Sequence, residues 1–399
     1  MALLVINCGS SSVKFAVFDG ETALVRGGVE ALGTPRAKGR YRDPADIPKP
    51  LDVPEHCDHR RALEAAFHAI AADPALGDRE IQAIGHRIVH GGAIYAAPTP
   101  IDATTLHDIR ELAPLAPVHA EANALGIEAA MALFPGLPQV AVFDTAFHQS
   151  IPPAVYHYAI PSKYHALYQI RRYGFHGTSH EYVATEAIRR LGLDPGNSRL
   201  LIAHLGNGCS ATAVRDSRSA DTSMGLTPLE GLVMGSRSGN VDPNLHHYLA
   251  RRSGMSLDQI TDILNHRSGL AGLSGSTNDF RMLSDEARAG SAPAKLAIDV
   301  FCYRLARELA GLAAALGGPP DALVFTGGIG ENSALARAQT LGHLGVFGPD
   351  LDPRANDHHG RDTGGLISRR GGSGPSVLVI PTDEELAIAR ATRRIAGII

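Results

Sequence analysis

Apolar and polar positions along this chain alternate between two rhythms. Short, nearly unbroken apolar runs predict buried strands at residues 2–7 and 13–18, and again within "IQAIGHRIVHGG" (81–92), "QVAVFD" (139–144), "RLLIAHL" (199–205), "CSATAVRD" (209–216), "DALVFT" (321–326) and "SVLVI" (376–380). Between them, apolar residues recur every three or four positions. That spacing predicts helices over 60–72, 104–112, 120–133, 256–265 and 293–316, after "RRYGFHGTSH", after "FTGGIGENS", and at the C-terminal end beyond a Pro-Thr-Asp cap. Residues 151–170, with several prolines and tyrosines, read as a loop. Strands alternating with helices indicate α/β architecture.

One comparison within the chain adds to this. Residues 3–20, "LLVINCGSSSVKFAVFDG", overlay residues 200–217, "LLIAHLGNGCSATAVRDS", without a gap at an offset of 197. Six of the 18 pairs are identical: Leu3/Leu200, Leu4/Leu201, Gly9/Gly206, Ala16/Ala213, Val17/Val214 and Asp19/Asp216. Chance pairing gives about one or two. Either two strand–turn–strand units look alike because all such units do, or the fold is duplicated, with one polar hairpin tip in each half.

The length of 399 residues predicts about two domains. A composition of 44% hydrophobic and 20% charged residues suits a globular enzyme, and a net charge of −4 without a basic run excludes nucleic acid as an expected partner. The start "MALLVINCGS" has no basic n-region, and no apolar segment reaches the ~20 residues of a membrane span, so neither export nor a membrane partner is expected. Cys8, Cys57, Cys209 and Cys302 lie far apart and form no C-x-x-C pair. A reducing, cytoplasmic setting is the expectation.

Three glycine-bearing tips follow apolar strands. Ser10, Ser11 and Ser12 after Gly9 offer hydroxyls and close backbone approach, and Lys14 adds a positive charge. The stretch is not a Walker A loop, and taken alone it is ordinary turn chemistry. His204 to Gly208 carries Asn-Gly, a strong hairpin signal. Gly327 to Asn332 sits between a strand and a helix, where a helix start can face phosphate or ribose. Together the three suggest a nucleotide held between two domains. Arg87 and Arg237 are candidate forks for a carboxylate or a transferring phosphoryl group, Arg237 because its Gly-Ser-rich loop offers it little else to do. Asp144, Glu384 and Glu385 are candidate carboxylates for Mg2+, although acids in a first helical turn are also favoured by the dipole alone. The pairs His86/His90 and His176/His180 have i, i+4 spacing but lack the H-E-x-x-H pattern of a zinc helix, and a histidine near phosphate is the preferred reading.

With these residues assembled, the chain resembles the acetate kinase family, within the superfamily of acetate and sugar kinases, heat-shock chaperone ATPases and actin. The resemblance runs nearly end to end. It is carried by "VINCGSSSVKF", "IGHRIVHGG", "APVH" (116–119), "FDTAFH" (143–148), "RRYGFHGTSH" (171–180), "AHLGNGCS" (203–210), "DTSMGLTPLEGLVMGSRSGNVDP" (221–243), "FTGGIGENS" (325–333) and "IPTDEELAIA" (380–389). It implies a duplicated actin-like (ribonuclease H-like) α/β ATPase fold of two domains, with ATP in the interdomain cleft, and a homodimer. The first domain is expected at 1–150, joined by the terminal helix 385–399, and the second, carrying the adenosine site, at 151–384.

The same resemblance implies roles. Asn7 and Glu384 would hold Mg2+, or Mn2+ in its place. Ser10, Ser12 and Lys14 belong to the first phosphate loop; His204, Leu205, Gly206, Asn207 and Gly208 belong to the second. Asp279, Phe280 and Arg281 match the adenosine segment, together with Gly328, Ile329, Gly330, Glu331 and Asn332. Arg87 would bind the substrate carboxylate. Asp144, His176 and Arg237 would surround the transferring phosphoryl group, with His119 nearby. Val89, Val118, Phe175 and Pro228 match the pocket for the acid's alkyl group. The departures are Ala93 after "HGG", Ala120-Glu121 after "APVH", and Asn240 after Gly239. They touch the acid pocket, not the phosphoryl residues.

The implied reaction is ATP plus acetate to ADP plus acetyl phosphate, the alternatives being propionate kinase or an ATP-switched binding protein. A carboxylic acid is already ionised at neutral pH, so its attack needs no general base. Asp144 is therefore expected to orient a metal-bound water or Arg237.

Overall fold

The computed structural model describes the chain except Ser10, Ala75, Asp78, 117–119, Ser373 and Ile399. The expected site residues Ser10, Val118 and His119 thus lie outside the described residues. Two compact units divide the chain, Met1–Phe147 with Asp383–Ile399, and His148–Thr382.

The first unit is an eight-stranded sheet. In chain order its strands are β1 (Ala2–Cys8), β2 (Ser12–Asp19), β3 (Thr22–Glu30), β4 (Lys38–Arg42), β5 (Pro48–Leu51), β6 (Ile81–Ile88), β7 (Thr99–Pro100) and β8 (Gln139–Phe143). They lie in the order β5-β4-β3-β2-β1-β6-β8-β7. Strand β1 pairs antiparallel with β2 and parallel with β6, and is buried along nearly its whole length, as its unbroken apolar run predicts.

Its even-numbered side chains (Leu4, Ile6, Cys8) enter a core with the helices His59–Ala72 and Ala120–Leu133. The first of these starts at an N-cap, Asp58, which accepts from Arg61 N, and buries Ala62, Leu63, Ala66, Phe67 and Ile70 as one stripe. The odd-numbered side chains face the other way. There Gly85, the partner of Val5, lies under the terminal helix Glu384–Ala396, where an added Cβ would come within 2.2 Å of Thr392 Oγ1. A period of two then puts Asn7, Lys14 (paired with Asn7) and Arg87 on that same helix-covered face.

The second unit holds β9 (Arg199–Leu205), β10 (Cys209–Arg215), β11 (Arg218–Thr222), β12 (Ala322–Thr326) and β13 (Ser376–Val379), in the order β11-β10-β9-β12-β13. Helix Gly177–Leu191 packs on β9 and β12, and the long helix Ala292–Leu312 packs on β10. In both units three antiparallel strands lead into two parallel ones, β3-β2-β1-β6-β8 in the first and β11-β10-β9-β12-β13 in the second. The fold is the expected duplicated α/β one.

The gapless overlay of the two hairpins needs correction. Cys8 pairs with Val13 across four intervening residues, but Leu205 pairs with Cys209 across three. Val17 faces Leu4, whereas Val214 faces Leu200, the counterpart of Leu3. One residue fewer at the tip moves every following side chain to the opposite face, so the Ala16/Ala213, Val17/Val214 and Asp19/Asp216 identities are not structural equivalents.

Two local readings also change. The 151–170 segment contains short helices, Pro153–Tyr156 and Lys163–Tyr168, the first begun by a proline at its N-terminus. "GGIGEN" is no open turn but the helix Gly327–Asn332, entered straight from β12. Gly327 makes this entry feasible. Its φ is +77°, and a Cβ there would lie within 2.9 Å of three backbone atoms of Leu205.

Buried histidines set the acid limit of this fold. His86 bonds Gln139 Oε1 at 2.8 Å, and His148 bonds the Phe175 carbonyl at 3.0 Å and Ser219 Oγ at 2.8 Å. Burial pushes both down to about 4. Folded-state pKa values below the unfolded 6.5 mean that the unfolded chain takes up protons first. The stability these groups contribute is complete above pH 6.5 and is lost between 6.5 and about 4, by about 3 kcal/mol each. Urea midpoints should fall steeply over that window and stay nearly level from pH 7 to 9. A level midpoint down to pH 4.5 would show that these rings are not buried neutral.

Candidate functional site

Each unit assembles its own set of polar residues. In the first, Asn7 ends the buried part of β1, Arg87 stands near the end of β6, Asp144 follows β8, and Glu384 opens the terminal helix. Arg87 gathers them. Its Nη2 is 2.5 Å from Asp144 Oδ2, its Nη1 3.4 Å from Asn7 Oδ1, and its Nε 3.6 Å from Glu384 Oε2. The Nε has no hydrogen-bond partner among the described residues. Burial alone would lower the pKa of Arg87, but Asp144 and Glu384 outweigh it and raise it, so the guanidinium stays charged. Asp144 is thus engaged with Arg87, where the sequence suggested Arg237 or a metal-bound water.

Asn7 Oδ1 and Glu384 Oε2 are hard oxygen donors on one guanidinium. That donor set fits Mg2+ or Mn2+, which takes one or two such ligands and fills its remaining positions with water. Glu385 faces elsewhere, 3.2 Å from Arg26 Nη1, and burial raises its pKa.

The described part of the first hairpin tip is closed by Gly9 N donating to Ser12 O at 2.8 Å. Lys14 lines an open basic groove with Arg26, Lys38 and Arg40. Val89 is buried, and its backbone N–H donates to Asn123 Oδ1.

In the second unit, the second hairpin tip is closed by Gly206 N donating to Gly208 O at 3.0 Å. A Cβ added at Gly208 would lie 3.5 Å from Arg237 Nη1 and 3.6 Å from His176 Nε2, so both side chains converge on this tip. The Arg237 Nη1 donates to the Pro228 carbonyl at 3.1 Å and rests 3.7 Å from Met234 Sδ. No carboxylate pairs with it among the described residues, and burial lowers its pKa. Such a guanidinium is open to an anion.

His176 has φ +57°, an uncommon conformation for a non-glycine residue, and caps the start of helix Gly177–Leu191. Its ring stacks on His204 at 4.4 Å between centroids. Phe175 is buried and Pro228 half-buried.

A cavity of about 600 Å3 opens beside the same tip. Of the expected nucleotide residues, Gly206, Asn207, Asp279, Phe280, Arg281, Gly328, Ile329 and Asn332 line it. Asp279 holds the start of helix Phe280–Arg288 as its N-cap, accepting from Arg281 N and Met282 N.

Gly330 and Glu331 do not line it. Gly330 packs on Phe325, and the Glu331 carboxylate accepts from Gly327 N at 2.9 Å and Thr382 N at 3.2 Å, fastening the turn from beneath. His204 and Leu205 are buried, with His204 Nδ1 2.8 Å from Ser179 Oγ.

The sequence reading missed Asn278, His359 and Arg337. Asn278 Nδ2 donates to Asn207 Oδ1 at 3.0 Å, and His359 lines the cavity. Arg337 is wholly buried behind it and donates to the carbonyls of Gly330 and Asn356, to Asn356 Oδ1 and to His359 Nδ1. No local motif marks it; its partners come from two separate segments, Gly330 with Glu331 and Asn356 with His359.

Comparison with known proteins bears on the chain as a whole. Residues 2–390 match the acetokinase family. An acetate kinase of Ectopseudomonas mendocina is 53% identical over 397 residues, covering 98% of each chain. Among solved structures, a propionate kinase from Francisella tularensis superposes with a TM-score of 0.91 at 42% identity. An acetate kinase from Porphyromonas gingivalis superposes with a TM-score of 0.91 at 38% identity. Each covers 99% of both chains.

Proposed function

The chain belongs to the acetokinase family, and from that membership we propose that it catalyses reversible phosphoryl transfer from ATP to acetate, giving ADP and acetyl phosphate. The observation that carries the site reading is the convergence of Arg237 and His176 on Gly208, with no carboxylate on Arg237 among the described residues. A phosphoryl group in transfer spreads negative charge over its equatorial oxygens, and fixed donors aimed at those oxygens are what lower its barrier. The 600 Å3 cavity supports a nucleoside at the second unit. The Nε of Arg87 makes no hydrogen bond among the described residues, its nearest acid being Glu384 at 3.6 Å, and this supports a carboxylate ligand there, with Asp144 and Asn7 holding the rest of the guanidinium in place.

Acetate is already the nucleophile, so no residue is assigned to deprotonate it. Asp144 orients Arg87. Asn7 and Glu384 would hold the divalent cation, which when bound neutralises charge on the β- and γ-phosphates. Val89, Phe175, Pro228 and Val118 match the family's residues for the acid's alkyl group, and their size favours a methyl group. A homodimer in the cytoplasm belongs to the same proposal. No helix among the described residues is long and apolar enough to cross a membrane.

Trapping the acyl phosphate with hydroxylamine tests the reaction. Acetate should give the highest kcat/KM, propionate a value lower by about 10- to 100-fold, since one methylene in such a pocket is worth ~1–3 kcal/mol. Preference for propionate or butyrate would reassign the substrate. ATP hydrolysis without a trapped product would favour an ATP-driven switch instead.

A further inference from the structure

Behind His176 the second unit buries a chain of polar atoms that the proposed reaction does not itself use. Strands β9 and β10 pair His204 with Ser210, so both side chains share a face. Helix Gly177–Leu191 brings His180 to the same place. Ser210 Oγ lies 2.9 Å from His176 Nδ1 and 2.8 Å from His180 Nε2. Ser210 and His180 are both 0% exposed. A hydroxyl has one proton and two lone pairs, so at most one of these two ring nitrogens accepts from Ser210; were both to donate, the buried Ser210 proton would be left without an acceptor.

The far side of His180 decides which. Its Nδ1 is buried with no hydrogen-bond partner among the described residues. Burial, with His148 and His204 adding to it, lowers the pKa of His180 well below 6.5, so the ring is neutral and carries one N–H. Placed on Nδ1, that N–H would be orphaned within the first turn of a helix, where unpaired backbone N–H groups already make the potential positive. Placed on Nε2, it is donated to Ser210. The Ser210 proton must then go to His176 Nδ1.

The geometry points to a two-residue relay, His180 Nε2–H to Ser210 Oγ–H to His176 Nδ1, that holds His176 as its Nε2–H tautomer with the proton directed at Gly208 and Arg237. The opposite tautomer would turn a lone pair towards phosphoryl oxygens. The same chain disfavours the imidazolium, because with His176 Nδ1 protonated the Ser210 hydroxyl would accept from both rings and its own buried proton would have no acceptor. Ser210 and His180 are thus positioning residues that act through His176. The catalytic part of this inference rests on the proposed phosphoryl transfer; the tautomer itself does not.

Long-range 1H–15N spectra of 15N-histidine-labelled protein, assigned with His176→Gln, read the tautomer directly. The unsubstituted protein should show His176 with a pyridine-type Nδ1 and a pyrrole-type Nε2. Ser210→Ala should move both nitrogens towards averaged values and lower kcat by about 10- to 100-fold with both KM values within about twofold. Ser210→Thr, which keeps the hydroxyl, should restore both readouts, and His180→Gln, which keeps a donor near Nε2, should preserve the tautomer. A pyrrole-type Nδ1 in the unsubstituted protein overturns the relay, as does a Ser210→Ala spectrum with unchanged His176 signals. If Ser210→Ala does not fold, the spectrum of the unsubstituted protein still decides. Absence of acyl phosphate alongside an Nε2–H His176 would remove the proposed reaction and leave the relay standing.

Discussion

Replacing Arg237 with alanine is expected to lower kcat by about a thousandfold while changing the KM values for ATP and acetate by less than about threefold. Loss of a single fixed donor to developing charge costs ~10²–10³ in rate, and loss of an arginine that neutralises a transferring phosphoryl group costs ~10³–10⁵. Arg237 is suited to that work because it is half-buried and, among the described residues, bonds only to a carbonyl and a thioether. With no carboxylate on it among the described residues, its charge is left for the ligand. The fold should not suffer, since alanine removes a partly desolvated charge. Arg237→Lys should recover only part of the rate, because an ammonium cannot present the same planar fork. Steady-state kinetics in both directions measure this, and a near-normal kcat for Arg237→Ala would remove Arg237 from the phosphoryl site.

The second large effect is expected at Arg337. Its charge is held without an acid. The Nη1 donates to the Gly330 carbonyl at 2.7 Å and the Glu331 carbonyl at 3.1 Å; the Nη2 donates to Asn356 O at 2.7 Å and His359 Nδ1 at 2.9 Å; the Nε donates to Asn356 Oδ1 at 2.8 Å. Burial pulls its pKa down to about 10. Methionine fills the space but takes the Arg337 donors from these acceptors, of which the Asn356 carbonyl keeps His359 N, at ~1–3 kcal/mol for each group left bare. Relief of the buried charge offsets part of this, so a net loss of about 2–4 kcal/mol is expected in chemical denaturation.

The nucleotide should report the change as well. Arg337 has only donors, so His359 Nδ1 must accept, which leaves the His359 proton on Nε2 in a residue that lines the cavity. Arg337→Met frees that ring and loosens helix Gly327–Asn332. KM for ATP should rise about fivefold while KM for acetate holds. Equal changes in both KM values would show that Arg337 supports the unit generally and not its cavity.

The residues that sequence reading found share one property, that their chemistry is local. Gly206 to Gly208 turn a hairpin, Asp279 caps a helix, and Gly328 to Asn332 follow a strand directly, so spacing along the chain suffices to mark them. Arg337, His359 and Ser210 are absent from that reading, and His180 enters it only through its spacing from His176, because their meaning lies in partners such as Asn356, 19 residues from Arg337, and Ser210, 30 residues from His180, where any serine or arginine on a helix or strand looks the same. The hairpin overlay failed for a related reason. Identity at a fixed offset says nothing about register, and a three-residue tip in place of four turns the second strand over.

Sequence alone therefore determined the alternation of elements and the segments that bear chemistry, because periodicity and turn residues are properties of neighbours. Tertiary structure alone decided that Asp144 binds Arg87, that the Glu331 carboxylate fastens the start of helix Gly327–Asn332, and that Ser210 lies between His176 and His180. Those outcomes depend on which donors and acceptors are left unpaired once the strands have chosen their faces and water has been excluded, and no single segment contains that information.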